Sequence, residues 1–122
     1  MGKRNTARLD AIMAGTGFGG EDFTKLGAAH LRALIDAGLL SPTSPVETED
    51  YGMDAEELLR ILESARGVVA CGSYYGRDMG LALTDLRLNT SDPARRAALL
   101  RACHGIGDEV YDFGRGIGIW FD

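Results

Sequence analysis

Between Glu47 and Glu57 the chain holds six carboxylates in eleven residues: Glu47, Glu49, Asp50, Asp54, Glu56 and Glu57, with no Lys, Arg or His among them. Clustered carboxylates can exchange protons with a substrate or present a negative field to a basic partner. Proton exchange needs two of them framed about a reacting bond, and the spacing supplies no such frame. The field remains. Tyr51 lies inside the run, and an aromatic ring flanked by carboxylates is a good anchor for an Arg-rich surface. The candidate partner-binding set is therefore Glu47, Glu49, Asp50, Tyr51, Asp54 and Glu56. Part of it also serves the fold. Asp54 and Glu57, three apart, match a capping box with Asp in place of Ser or Thr. Carboxylates in a first helical turn stabilise it by about 0.3–1 kcal/mol each. Glu47, Glu49 and Asp50 have no such use.

Cys71, Cys103 and His104 are the ingredients of a thiol–imidazole pair. Neighbours on a helix project about 100° apart, so Cys103 and His104 do not face each other, and Cys71 reaches His104 only through tertiary contact. Two cysteines set no disulfide framework, and both are expected as reduced thiols packed like small apolar groups. No Cys-x-x-Cys or His-x-x-x-His spacing is present, so neither metal nor cofactor is expected. His30 is expected as a partly exposed helical residue.

Gly15-x-Gly17-x-Gly19-Gly20 invites a phosphate-loop interpretation. That chemistry needs a strand leading in and a helix N-terminus leading out. Here a helix leads in, no Lys-Ser/Thr pair follows, and Glu21-Asp22 would repel phosphate; a connector is expected. Basic candidates for a nucleic-acid surface are Lys3, Arg4, Arg8, Arg95, Arg96 and Arg101.

The net charge of −5 is uneven. Residues 1–20 carry three basic and one acidic side chain, 21–66 four and ten, and 67–122 six and seven. A middle third at −6 repels phosphates and attracts basic surfaces, less so as salt rises. Direct nucleic-acid binding is thus disfavoured. Eleven Arg against two Lys fits a G+C-rich bacterial or phage source.

The elements that position these groups follow from periodicity. A helix capped by Asn5 or Thr6 runs to about Ala14, with Leu9, Ile12 and Met13 on one stripe. A second runs from Asp22 or Thr24 to Ala37 on Leu26, Leu31, Leu34 and Ile35, with Gly38 as the C′ residue. Ser41–Pro45 is a proline-containing loop. A third helix starts behind Asp54 and runs to about Ala65.

The second half changes period. Val68–Tyr75 and Leu81–Leu88 read as strands. Leu81 and Leu83 share one parity and Leu86 and Leu88 the other, so a bulge or a doubly buried strand is expected near Thr84-Asp85. Asp92-Pro93 starts a helix to Cys103. Val110–Phe113 and Ile117–Phe121 flank a glycine hairpin.

The expected fold is α+β in a single domain spanning 1–122. Three N-terminal helices, to about residue 66, precede a ββαββ half with a mainly antiparallel sheet covered by helices. At 45% hydrophobic and 25% charged residues the chain is globular. No apolar run approaches the roughly 18 residues that span a bilayer, and no signal core follows the basic N-terminus, so a cytoplasmic protein is expected.

The expected function is a small non-enzymatic protein-binding domain. It would be an inhibitor or regulator docking its acidic surface on a basic, nucleic-acid-binding partner, as immunity proteins or phage defence inhibitors do. The alternatives are a nucleic-acid-binding regulator using the arginines, and third, a small Cys/His enzyme. Oligomeric state is left open.

Overall fold

Strand β5 (Leu81–Leu88) organises the sheet, because three other strands pair with it. The computed structural model describes residues 3–48, 51–107 and 109–121, with side chains from residue 6 onward. The elements in chain order are α1 (Lys3–Ile12), β1 (Asp22–Leu26), α2 (Ala28–Asp36), β2 (Pro45–Glu47), β3 (Gly52–Asp54), α3 (Ala55–Leu62), β4 (Val69–Tyr74), β5, α4 (Pro93–Ala102), β6 (Glu109–Asp112) and β7 (Ile117–Trp120). Among the described residues this is a mixed α+β fold with four helices and a seven-stranded sheet.

One edge of β5 pairs antiparallel with β4, which in turn pairs with β1. Its other edge is divided. The first residues, Leu81 and Ala82, pair parallel with Val46 and Glu47 of β2, while Asp85–Leu88 pair antiparallel with β7. Strand β3 then closes a hairpin on β2, and β6 one on β7.

The register explains the change of leucine parity. Between Gly72↔Leu83 and Cys71↔Asp85 the ladder shifts by one residue, with Thr84 as the extra one. A bulge inverts the alternation beyond it. Leu81, Leu83, Leu86 and Leu88 therefore all turn inward and are all buried. There they join Leu9, Leu31, Leu34, Leu58, Ile61 and Leu99, contributed by all four helices, in one hydrophobic cluster. Thr24, Thr84, Arg87 and Trp120 lie on the opposite face and are exposed.

The Asp54, Asp92 and Gly38 signals hold, whereas α1 begins at Lys3, so the expected caps Asn5 and Thr6 lie inside the helix. Asp54 caps α3 by accepting from the Glu57 backbone N–H at 2.8 Å, and Asp92 caps α4 ahead of Pro93. After α2, the Gly38 N–H reaches Ile35 O and the Leu39 N–H reaches Leu34 O, at 3.0 and 2.9 Å, with Gly38 at φ +75°. That is the Schellman arrangement, which requires the left-handed C′ residue that glycine supplies.

Two expectations are corrected. The order is not three helices followed by ββαββ: residues 22–26 form β1, and α2 begins only at Ala28 behind an extended Gly27. The cause is a second irregularity. Phe23 and Leu26 are three apart, a helical spacing, yet a register shift between them puts both into the core from a strand. His30 Nδ1 accepts from the Gly27 N–H at 3.0 Å, so this histidine serves the helix start. Residues 41–44 form the expected loop, but it ends at Pro45, and the acidic stretch that follows is not a plain loop. It forms β2 and β3, each three residues long and too short to show a period; Pro45 stands at the first position of its strand, where proline is tolerated.

Candidate functional site

The acidic segment is split between the β2–β3 hairpin and the first turn of α3. Glu47 is exposed at the end of β2, opposite Gly52 and Ala82. The hairpin closes through Thr48, whose backbone N–H donates to Tyr51 O at 3.1 Å and whose hydroxyl accepts the Tyr51 N–H at 2.8 Å. Glu49 and Asp50 lie outside the described residues. Tyr51 is half-buried against the core, and its hydroxyl donates to Glu57 Oε1 at 3.1 Å. That bond, followed by the Glu57 charge and burial, raises the Tyr51 pKa. Tyr51 is thus tethered to the domain. Asp54 is used as a cap. Glu56 is exposed, with Arg60 one turn on at 4.0 Å, a surface pair worth only about 0.3–0.5 kcal/mol. Among the described residues that is the one ion pair of residues 47–57; Arg32 pairs instead with Glu63 at 2.7 Å.

The other candidate residues fall apart in space. Cys71 lies on the open face, across from Asp85. Cys103 is buried in the core, and His104 is exposed past the end of α4, beside a hollow shared with Ile119 on the inner face. The sheet separates Cys71 from His104. Both cysteines are free and buried. Burial, and after it the Asp85 charge, pushes the Cys71 thiol from 9.0 to about 11; burial pushes Cys103 to about 12.

Below pH 9.0 both thiols are protonated whether the chain is folded or not, so they leave stability unchanged. Above it the unfolded chain releases protons that the folded one retains. Stability should therefore fall with rising pH, by up to about 1.4 kcal/mol per pH unit for each thiol, until the folded values are reached. Urea unfolding between about pH 8 and 10 should show this slope, and a Cys71→Ala/Cys103→Ala variant should flatten it.

Arg95 and Arg96 are engaged within the fold. Arg96 Nε donates to Thr90 O at 2.7 Å and its terminal nitrogens reach Asp112 at 3.1 Å and Gly114 O at 3.3 Å, stitching α4 to the β6–β7 hairpin. Arg95 donates to Thr90 Oγ1 at 3.2 Å and to the Arg66 carbonyl. The side chains of Lys3 and Arg4 lie outside the described residues, and Arg8 and Arg101 are exposed. The arginines of α4 therefore do not form one free patch. Among the described residues no helix is long and apolar enough to cross a membrane, and no cluster of three or more His, Cys, Asp or Glu is arranged to hold a metal.

The open face carries a group that the sequence reading did not single out. Asp85 is 3% exposed, yet it is charged and stands mid-strand. Its Oδ2 accepts from Arg87 Nε at 2.8 Å and from the Tyr111 hydroxyl at 3.2 Å. Asp85 in turn holds the Arg87 guanidinium above its ordinary pKa. Burial, with the Asp85 charge next, raises Tyr111. The Tyr111 ring lies directly over its cross-strand partner Gly118, at a position any side chain would occupy. Its ring centre is 6.0 Å from that of Phe113 and 6.1 Å from that of Trp120, tilted in both cases. Beside these groups is a cleft of about 690 Å³, with Lys25, Val69, Arg87, Asn89, Tyr111 and Phe113 in its lining. One sequence signal pointed here: an Asp and an Arg two residues apart in a leucine-rich strand, which period two places on the same face. Comparison of the chain with family models, curated proteins and solved structures finds no match.

Proposed function

We propose that the chain is a non-enzymatic protein-binding domain, an inhibitor or regulator that docks its acidic hairpin and α3 start on a basic, nucleic-acid-binding face of a partner. The observation that carries this reading is the exposure of Glu47 and Glu56 on adjoining elements, opposed among the described residues only by the wide Arg60 contact. Three engaged groups, Asp54, Glu57 and Tyr51, fix the backbone from which they project. A rigid negative surface speeds encounter with a positive one, and apolar contacts then hold the complex. Glu49 and Asp50 add two further charges between the strands in sequence. The likeness to immunity proteins and phage-encoded inhibitors is one of size and charge alone.

The test begins with affinity capture from the source cell and continues with purified partner. The triple variant Glu47→Ala/Glu49→Ala/Asp50→Ala should associate about tenfold more slowly at low salt, a difference that shrinks as salt rises. Its unfolding free energy should stay within about 0.5 kcal/mol of the parent, as expected of surface positions. An unchanged association rate would remove the proposal.

A further inference from the structure

We propose that the cleft on the open face binds a small aromatic anion of mononucleotide size, its phosphate on Lys25 and Arg87 and its planar ring on Tyr111 and Phe113. The volume of about 690 Å³ lies within the roughly 300–1,000 Å³ usual for small-molecule sites. The lining holds two cations and no carboxylate, in a chain whose net charge is −5.

The cations are unlike in a useful way. Arg87 is fixed: Asp85 takes its Nε, while the side chain stays 51% exposed and keeps further donors for an anion. Orientation is therefore settled before a ligand arrives, which lowers the entropic cost of binding. Asp85 balances the charge of Arg87, and Lys25, exposed on β1, supplies the unbalanced positive charge. Asp85 is accordingly a positioning residue.

The aromatic side is equally specific. Phe113 and Trp120 are 40% and 39% exposed, and they flank a Tyr111 ring pinned over Gly118. Exposed rings next to a basic cleft form a stacking surface for a planar base, because every base presents a π-face. Asn89 in the lining carries both a donor and an acceptor for the edge of a heterocycle. A polynucleotide fits less well than one phosphate, because the same face carries exposed Asp22, Glu47 and Glu109.

Trp120 is the only tryptophan of the chain and stands beside Tyr111, so its emission reports occupancy. The purified protein is titrated with the four common nucleoside 5′-monophosphates, following fluorescence and heat. At least one should give a saturable signal at one site per chain. Inorganic phosphate alone and the matching nucleoside alone should each bind at least about tenfold more weakly, since each keeps only half the contacts. Lys25→Ala and Phe113→Ala, both surface changes, should each weaken binding about tenfold or more with unfolding unaltered. The proposal is overturned if no monophosphate gives a signal at millimolar concentration, or if both variants bind like the parent. It is also overturned if a single-stranded oligonucleotide binds more tightly than any monophosphate with a steep salt dependence, which would make the cleft a nucleic-acid surface.

Discussion

Replacing Arg87 with alanine should lower the unfolding free energy by about 3 kcal/mol, far more than an exposed arginine ordinarily contributes. The reason lies beneath it. The Asp85 side chain is 4% exposed and its main cationic partner is Arg87. Removing one member of such a pair leaves a buried charge without compensation, which costs about 3–5 kcal/mol. The lower end applies because the Tyr111 hydroxyl still donates to the same oxygen. Deleting both charges in Asp85→Ala/Arg87→Ala removes the uncompensated group, so the double variant should recover at least about 1 kcal/mol relative to Arg87→Ala alone. Denaturant unfolding of the three proteins measures this directly. A double variant as unstable as the single one would show that Asp85 does not depend on Arg87.

The second large effect concerns the turn that seats the acidic hairpin. Gly80 sits at φ +71°, and a Cβ there would collide with the Pro45 carbonyl oxygen, at the start of β2. Alanine in the left-handed region costs about 1–2 kcal/mol, and forcing extra volume into a packed contact adds about 1–3 kcal/mol. Gly80→Ala should therefore destabilise by about 2–5 kcal/mol and loosen the parallel pairing of β2 with β5. Gly20→Ala is the control: its φ is also positive, at +63°, but nothing lies within 4 Å of the added methyl. It should lose only the backbone part, about 1–2 kcal/mol. Equal losses at the two positions would mean that the Pro45 contact carries no weight. Hydrogen exchange of the Val46 and Glu47 amides adds a local readout, since local opening exposes them first.

The two irregular strands show why one was legible and the other was not. In β5 the change of leucine parity at Thr84 narrows the choice to a bulge or a strand buried on both faces, and the register with β4 selects the bulge. In β1 the spacing of Phe23 and Leu26 suits a helix as well as a bulged strand. Only pairing with β4, some 47 residues later at Cys71, selects the strand. The strands of the β2–β3 hairpin are three residues each, and what makes β2 a strand is the offered edge of β5.

The same division runs through the sites. The carboxylates of 47–57, the Asp54 cap and the Asp92-Pro93 helix start are settled within a few residues, because capping and charge density are short-range effects. The chain order alone therefore determined an acidic α+β protein with the starts of α3 and α4 and the end of α2 at their chemical stops. Tertiary structure decided which carboxylates stay exposed, set the sheet between Cys71 and His104, and joined Asp85 and Arg87 to Tyr111 across β7. Those outcomes depend on strand register, an interaction between segments far apart in sequence, and no local pattern of residues encodes it.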